Sequence, residues 1–178
     1  MAIALDPKKP TRDSFRKALQ ETFGPEWKSA AEVYPGGSEE ELLQSAADYA
    51  GDMFISYATW KWIEEHAATS EAPIYRYRVD RTIPGDPASA FGAIHASDIE
   101  YSFNTLDSKP AGWQEDDREV AEIMARAFAN FILSGDPNGD GVPAWPEFVN
   151  SGAVMYFDTT SASVPEIGRT RNELLDEV

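Results

Sequence analysis

The chain has 178 residues, and its 15 lysines and arginines against 31 aspartates and glutamates give it a net charge of −16. Apolar residues make up 42% of it, and the 5 Trp, 7 Tyr and 9 Phe are enough to fill a core, which excludes a disordered chain. The acidity argues against nucleic acid and anionic membranes as partners, and the absence of cysteine excludes disulfides, thiolate metal sites and a cysteine nucleophile.

The length predicts one domain or a piece of a larger one, beginning with a tail over residues 1–10. Thr11 is a typical N-cap, and the apolar residues after it recur at helical spacing until Gly24-Pro25 ends the helix. No apolar run approaches the roughly 20 residues that a membrane span needs.

A second helical region begins at Ser38, which forms a capping box with Glu41. Its apolar pattern continues as far as Ile63, which is unusually long for one helix. Gly51 is therefore the expected place for a break or a kink.

The second half of the chain mixes strands with helices. Residues 74–80 alternate at period two and predict a strand, and residues 153–158 predict a second one. A helix is expected over residues 115–133, and an acidic tail over 160–178 is expected to carry a last short helix. Two strands are too few for a covered parallel sheet, so either the chain is a mainly helical domain or it is a part of an α/β protein. We favour the second.

Two histidines are the candidate general bases. His66 ends an amphipathic helix, where a cation is favourable, and a structural role is expected for it. His95 lies in a glycine-containing loop after a strand, and such loops often hold catalytic groups. Asp98 and Glu100 follow closely and are candidates to orient the imidazole or to stabilise its charge.

A nucleophile for this base is not evident in the sequence. A serine hydrolase of the α/β type needs a Gly-x-Ser-x-Gly elbow, and residues 36–40, Gly-Gly-Ser-Glu-Glu, lack its last glycine. No phosphate-binding or dinucleotide-binding motif is present, and no cofactor is expected.

One formal motif match predicts calcium binding. The twelve residues 136–147 fit the calcium loop, with Asp136, Asn138, Asp140 and Glu147 as its ligands. Two prolines argue against an EF-hand: Pro143 lacks the backbone N–H that should pair with a partner loop at the eighth position, and Pro146 stands where the exit helix should already run. A solvated Asn-Gly turn is the alternative interpretation.

Four blocks, in order, resemble the C-terminal part of the type-B carboxylesterases, which include the cholinesterases. The resemblance covers about residues 11–160, and the order and spacing of the blocks make it specific. Two positions depart from the family pattern: Asp98, where Glu is usual, and Asn104, where Gly is usual. The four blocks are Pro73–Asp80, Gly92–Phe103, Asn130–Gly139 and Pro143–Pro146.

The resemblance implies an α/β-hydrolase fold and a serine-esterase mechanism. It identifies residues 1–178 as the C-terminal segment of such a domain, and His95 as the general base of a Ser-Glu-His triad. The family's nucleophile, acidic triad member and oxyanion hole all lie upstream of what this chain contains. The resemblance therefore implies that the substrate is a small-molecule ester once an N-terminal portion completes the site. It also implies that the isolated chain is inactive.

Two other interpretations remain open. The first is a non-catalytic acidic module that binds calcium through residues 136–147. The second is a degenerate fragment without function, which would aggregate through exposed apolar edges. The preferred ester, the oligomeric state and the compartment are not given by the sequence.

Overall fold

The computed structural model describes residues 10–87, 89 and 92–178, and the expected tail over residues 1–10 lies outside them except for Pro10. The described residues divide into two compact units, one of residues 10–70 with 167–178 and the other of residues 71–166. The helices are α1 (Arg12–Phe23), α2 (Trp27–Val33), α3 (Glu39–Gly51), α4 (Tyr57–Thr69), α5 (Ile99–Ser102), α6 (Glu115–Ser134), α7 (Phe148–Ser151) and α8 (Arg169–Asp176), and the strands are β1 (Tyr77–Val79), β2 (Ala153–Phe157) and β3 (Ala162–Pro165).

The helix starts predicted in the first unit are confirmed by their caps. The Thr11 hydroxyl accepts a hydrogen bond from the Ser14 amide at 3.1 Å and begins α1. Ser38 and Glu41 form a reciprocal capping box, with 3.0 Å between each side-chain oxygen and the backbone nitrogen of the other residue, and begin α3. Each cap satisfies an amide that would otherwise have no partner at the helix end.

The expected kink at Gly51 takes the form of a π-helical turn. Residues 52–56 follow Gly51 directly and join α3 to α4 without a break in the helical path. Such turns frequently occur at functional sites or at places where a side chain must be re-aimed. Here the turn begins at Asp52, whose side chain is buried.

The first unit is an all-helical body around an aromatic core. The Tyr49 ring meets Phe15 edge to face at a centroid distance of 6.0 Å and meets Tyr34 at 5.6 Å. This geometry is the favourable one for aromatic pairs. The buried residues of this core are Phe15, Ala18, Leu19, Phe23, Ala30, Tyr34, Leu42, Ala46, Tyr49 and Leu175.

The second unit holds a three-stranded sheet in the order β1-β2-β3. β1 runs parallel to β2, with Tyr77 opposite Met155, and β2 runs antiparallel to β3, with Met155 opposite Ser163. The connection from β1 to β2 contains α5 and α6, as a parallel pair requires. The sheet and its long helix agree with the expected partial α/β-hydrolase fold.

Helix α6 covers one face of this sheet. The Phe128 ring contacts Tyr77 at a centroid distance of 5.3 Å, and Trp145 stacks edge to face on Phe157 at 5.7 Å. The buried stripe of α6 has the helical spacing expected from the sequence. The core of this unit consists of Tyr101, Leu106, Val120, Ala121, Met124, Ala127, Trp145, Met155 and Phe157.

Two expectations need correction. Residues 160–178 are not a tail, because β3 pairs with β2 and Leu175 of α8 is buried in the core of the first unit. Strand β1 spans only Tyr77–Val79 of the predicted 74–80. The expected end of the first helix at Gly24-Pro25 is confirmed, and a short 3-10 turn leads from there into α2, which the sequence did not predict. None of the described helices is both long and apolar enough to cross a membrane.

Candidate active site

His95 lies in an exposed turn between a strand and a short helix. β1 ends at Val79 and α5 begins at Ile99, so the residue belongs to the loop that follows the carboxyl end of a parallel strand. Enzymes with parallel sheets bind and convert their substrates at that end of the strands. The role of His95 as a general base stays a prediction.

The backbone next to His95 adopts an unusual conformation. Ala96 has φ of +66°, in the left-handed region that residues with a Cβ rarely occupy. Ser97 is buried, and its amide closes the turn by donating to the carbonyl oxygen of Ile94 at 3.0 Å. Backbone strain of this kind clusters at functional sites.

We expect the Ala96→Gly variant to be more stable than the native chain by about 0.5–1 kcal/mol, because glycine adopts positive φ without a Cβ clash. Chemical denaturation of the purified chain measures this gain. Ala93→Gly is the matched control, since Ala93 is not a left-handed residue, and it should be neutral or destabilising. Equal losses in both variants would show that the Ala96 backbone is not strained.

Asp98 and Glu100 are placed on either side of the start of α5. The Asp98 carboxylate accepts a hydrogen bond from the Tyr77 hydroxyl at 3.1 Å. Burial, together with the charge and hydrogen bond of Asp98, raises the pKa of Tyr77 to about 12, so Tyr77 is a neutral donor at physiological pH. One carboxylate oxygen of Glu100 lies 3.8 Å from the Lys109 ammonium. Their support of the His95 loop stays a prediction.

A buried carboxylate, Asp117, is the centre of a polar cluster in this unit. It lies in the first turn of α6 and is fully buried. Its Oδ1 accepts hydrogen bonds from Arg81 Nε at 2.5 Å and from the Tyr101 hydroxyl at 2.9 Å. Its Oδ2 accepts a hydrogen bond from the Gln114 amide at 2.7 Å. The cluster thus connects the end of β1, helix α5 and the start of α6.

The partners of Asp117 keep it charged. Burial alone raises the pKa of its carboxyl, but the hydrogen bonds from Arg81, the Gln114 amide and Tyr101 outweigh burial, so the pKa lies below its usual range. Burial, and then the hydrogen bond to Asp117, raise the pKa of the Tyr101 hydroxyl. At neutral pH the cluster is therefore a carboxylate held by one cation and two neutral donors.

The residues of the predicted calcium loop are engaged with the protein itself. Asn138 Oδ1 accepts a hydrogen bond from the Trp145 backbone amide at 2.8 Å. Asp136 Oδ1 accepts one from the Asn138 backbone amide at 2.9 Å. The Glu147 carboxylate accepts a hydrogen bond from Asn150 at 2.9 Å, and Asp140 is exposed. Throughout the described ranges, no three His, Asp or Glu side chains are grouped so that they could hold a metal ion.

Three residues of this cluster, Arg81, Tyr101 and Asp117, are not among the site residues predicted from the sequence. Asp117 follows two other acidic residues at a helix start, where carboxylates are usually solvated charges that favour the helix dipole. A weak signal was present, because Gln114 and Asp117 have the spacing of a capping box. The three side chains come into contact only through the fold, so no local sequence pattern predicts their contact.

Comparison with known proteins gives consistent results. The model of the carboxylesterase family matches residues 7–174. Phenmedipham hydrolase from Pseudarthrobacter oxydans is 29% identical over 171 residues, which are 91% of this chain and 34% of that protein. Human bile salt-activated lipase is 32% identical over 176 residues, 89% of this chain and 23% of that protein.

The fold has a counterpart among solved structures. An esterase from Clostridium hathewayi superposes with a TM-score of 0.62 at 24% identity, over 99% of this chain and 35% of that one. Its fold is that of the α/β-hydrolases, which confirms the predicted fold class. The chain spans about a third or less of the length of these relatives.

Proposed function

Because the chain belongs to the carboxylesterase family, we propose that it is the C-terminal part of a carboxylic-ester hydrolase and that His95 is the general base of its triad. The observation that carries this proposal is the place of His95, in an exposed turn after the carboxyl end of a parallel strand. The family match extends across this turn and both neighbouring elements.

The proposed chemistry is acyl transfer through a serine. As a serine Oγ attacks the ester carbonyl carbon, the imidazole of His95 accepts the hydroxyl proton. The same proton passes to the departing alcohol oxygen when the ester C–O bond breaks, which leaves an acyl-enzyme. A water molecule then attacks the acyl carbon as one of its protons passes to the same imidazole. The bond between that carbon and the serine Oγ breaks, Oγ takes the proton back from His95, and the carboxylic acid is released. Each half of the reaction therefore returns His95 to its starting state.

The serine, the acidic triad member and the oxyanion hole are proposed to come from a portion of the hydrolase outside this chain. The sequence has no nucleophile elbow. In the described residues β1 is an edge strand, although parallel strands normally lie inside a covered sheet. In the same unit Phe103, Ile132 and Leu133 are each more than 70% exposed. Such features favour a partner segment that covers them.

A fluorophosphonate probe, which labels only activated serines, tests this proposal by intact mass. We expect no label on the isolated chain. A hybrid, in which this chain replaces the matching segment of the Pseudarthrobacter relative, should be labelled once per molecule and should hydrolyse p-nitrophenyl acetate. Both proteins are first confirmed as monomers by size-exclusion chromatography.

Two results would contradict the proposal. A stoichiometric label on the isolated chain would mean that it is a self-sufficient hydrolase with an overlooked serine. A folded hybrid that neither reacts with the probe nor hydrolyses the ester would mean that this chain does not complete the site. The alternative of a calcium module has no support in the geometry of residues 136–147, and absence of heat on titration with millimolar calcium would remove it.

A further inference from the structure

The loop that carries His95 has both of its ends attached to one oxygen atom. The chain passes Arg81 two residues after β1 and enters the loop. It returns in α5, where Tyr101 is fully buried. Arg81 Nε and the Tyr101 hydroxyl both donate to Asp117 Oδ1, at 2.5 and 2.9 Å. Residues 82–100, including His95, lie between these two attachment points.

We propose that Asp117 is a positioning residue for His95, an inference that rests on the proposed function. Asp117 holds the two ends of the His95 loop together and so fixes where the imidazole stands relative to the sheet. It touches no reacting atom itself. Its contribution to the reaction is the geometry of the base, and a displacement of about 1 Å can cost about a hundredfold in rate.

The two oxygens of Asp117 have separate tasks. Oδ2 accepts a hydrogen bond from the Gln114 backbone amide and so caps α6. Capping is a common role for a carboxylate at the start of a helix. Capping requires only this oxygen. Oδ1 takes no part in the cap and accepts hydrogen bonds from the two donors at the ends of the loop, in a site where the side chain is fully buried. A desolvated carboxylate with a cationic donor makes stronger hydrogen bonds than a neutral acceptor would.

The connection from Tyr101 back to His95 is short and closed by hydrogen bonds. The Ser102 amide donates to the Asp98 carbonyl at 2.8 Å, and the Ser97 amide donates to the Ile94 carbonyl at 3.0 Å. The Trp113 ring packs edge to face on Tyr101 at a centroid distance of 5.7 Å. A displacement of Tyr101 therefore also displaces the turn, because these hydrogen bonds hold the segment between them in one conformation.

Amide hydrogen exchange of the isolated chain tests the proposal with Asp117→Asn. An asparagine has one acceptor oxygen, so it cannot serve both the helix cap and the loop. We expect exchange in residues 96–105 to become about tenfold faster, with exchange in residues 120–133 of α6 unchanged within twofold. Asp107→Asn is the matched control, because Asp107 bonds Arg118 at the surface of the same unit; it should change neither segment.

A second variant keeps the test decisive where Asp117→Asn does not fold. Tyr101→Phe removes one hydroxyl and leaves the helix cap and the Arg81 pair in place, and it should accelerate exchange in residues 96–105 alone. Equal acceleration of both segments, or of neither, in the variant that folds would overturn the proposal. Equal acceleration of exchange in both segments would mean that Asp117 has only a general structural role.

The hybrid esterase supplies a readout that a structural role would not move. Asp117→Asn should lower kcat for p-nitrophenyl acetate by about 10–100-fold with KM within twofold, since the substrate pocket is not touched. An unchanged kcat would overturn the proposal that Asp117 positions His95. If the unmodified hybrid is itself inactive, the proposed function fails, and the exchange experiment still decides whether Asp117 holds the loop.

Discussion

Replacing His95 by Ala in the hybrid esterase should lower kcat/KM for p-nitrophenyl acetate by at least about a thousandfold, or about 4 kcal/mol of transition-state stabilisation. Without the imidazole, no group accepts the serine proton during attack or returns it to the leaving alcohol. Binding of the ester should be less affected than the chemical step. Steady-state kinetics, with labelling by fluorophosphonate as a second readout, measure the loss.

The chain provides its own control for this substitution. His66 is the only other histidine and is exposed at the end of α4 in the first unit. His66→Ala should leave kcat/KM within about twofold. Added imidazole should restore part of the activity to the His95→Ala hybrid, because the missing side chain leaves space for it. Retention of most of the activity after His95→Ala would mean that another group is the base.

Local patterns predicted most helices because the determining interactions are short in sequence. The capping box at Ser38 needs only a residue three positions away, and the end of α6 needs only Gly135, which has φ of +79°. Gly51 marked the irregular segment correctly, but no pattern in the sequence indicated that the irregularity is a π-helical turn. Elements of this kind are predictable because the physics that forms them is local.

The missed elements depend on partners that are distant in sequence. Strand β3 is the segment Ala-Ser-Val-Pro, which is too short and too poor in strand-forming residues to be predicted, and it is stabilised by pairing with β2. Helix α2 was hidden by the helix-ending signal Gly24-Pro25. The acidic composition of residues 160–178 predicts a solvent-exposed tail, whereas Leu175 is buried in the core of the first unit.

The site was predictable only in part. The candidate histidine is predicted by its place in a glycine-containing loop and by the resemblance of four ordered blocks to a family, and the same resemblance marks Asn104 as a departure from glycine. The structure explains that position, because Asn104 has φ of +50° and asparagine tolerates this region better than most residues. Asp117 could not be found in this way, since its role requires Arg81 and Tyr101 to arrive from 36 and 16 residues away.

Replacing Arg171 by Met should lower the free energy of unfolding of the first unit by about 3–5 kcal/mol. Arg171 Nε donates to Asp52 Oδ2 at 2.7 Å, and Arg171 Nη1 lies 3.2 Å from Asp48. The Asp52 side chain is only 6% exposed, so little solvent screens this pair. The methionine leaves a buried carboxylate whose remaining hydrogen bond comes from the Tyr34 hydroxyl. Urea unfolding followed by circular dichroism measures the loss.

Two further variants separate the buried charge from the loss of a long side chain. Arg16→Met is the matched control, because Arg16 pairs with Asp13 at the surface of the same unit and should cost less than about 1 kcal/mol. The double variant Asp52→Asn with Arg171→Met removes both charges and should be more stable than Arg171→Met alone. The single variant Asp52→Asn completes the comparison. If the double variant lost as much free energy of unfolding as Arg171→Met and Asp52→Asn together, the two side chains would have no coupling energy.

The pH dependence of the Arg171→Met variant distinguishes an uncompensated charge from lost packing. Burial raises the pKa of the Asp52 carboxyl above its ordinary value even beside Arg171, and removal of the cation raises it further. Between the ordinary and the raised pKa the folded state binds more protons than the unfolded state, so stability falls as the pH rises through this range. The deficit relative to the native chain should therefore be largest at neutral pH and smaller in acidic solution below the raised pKa of Asp52. A deficit that is the same at both pH values would assign the loss to packing, since buried methylenes do not titrate.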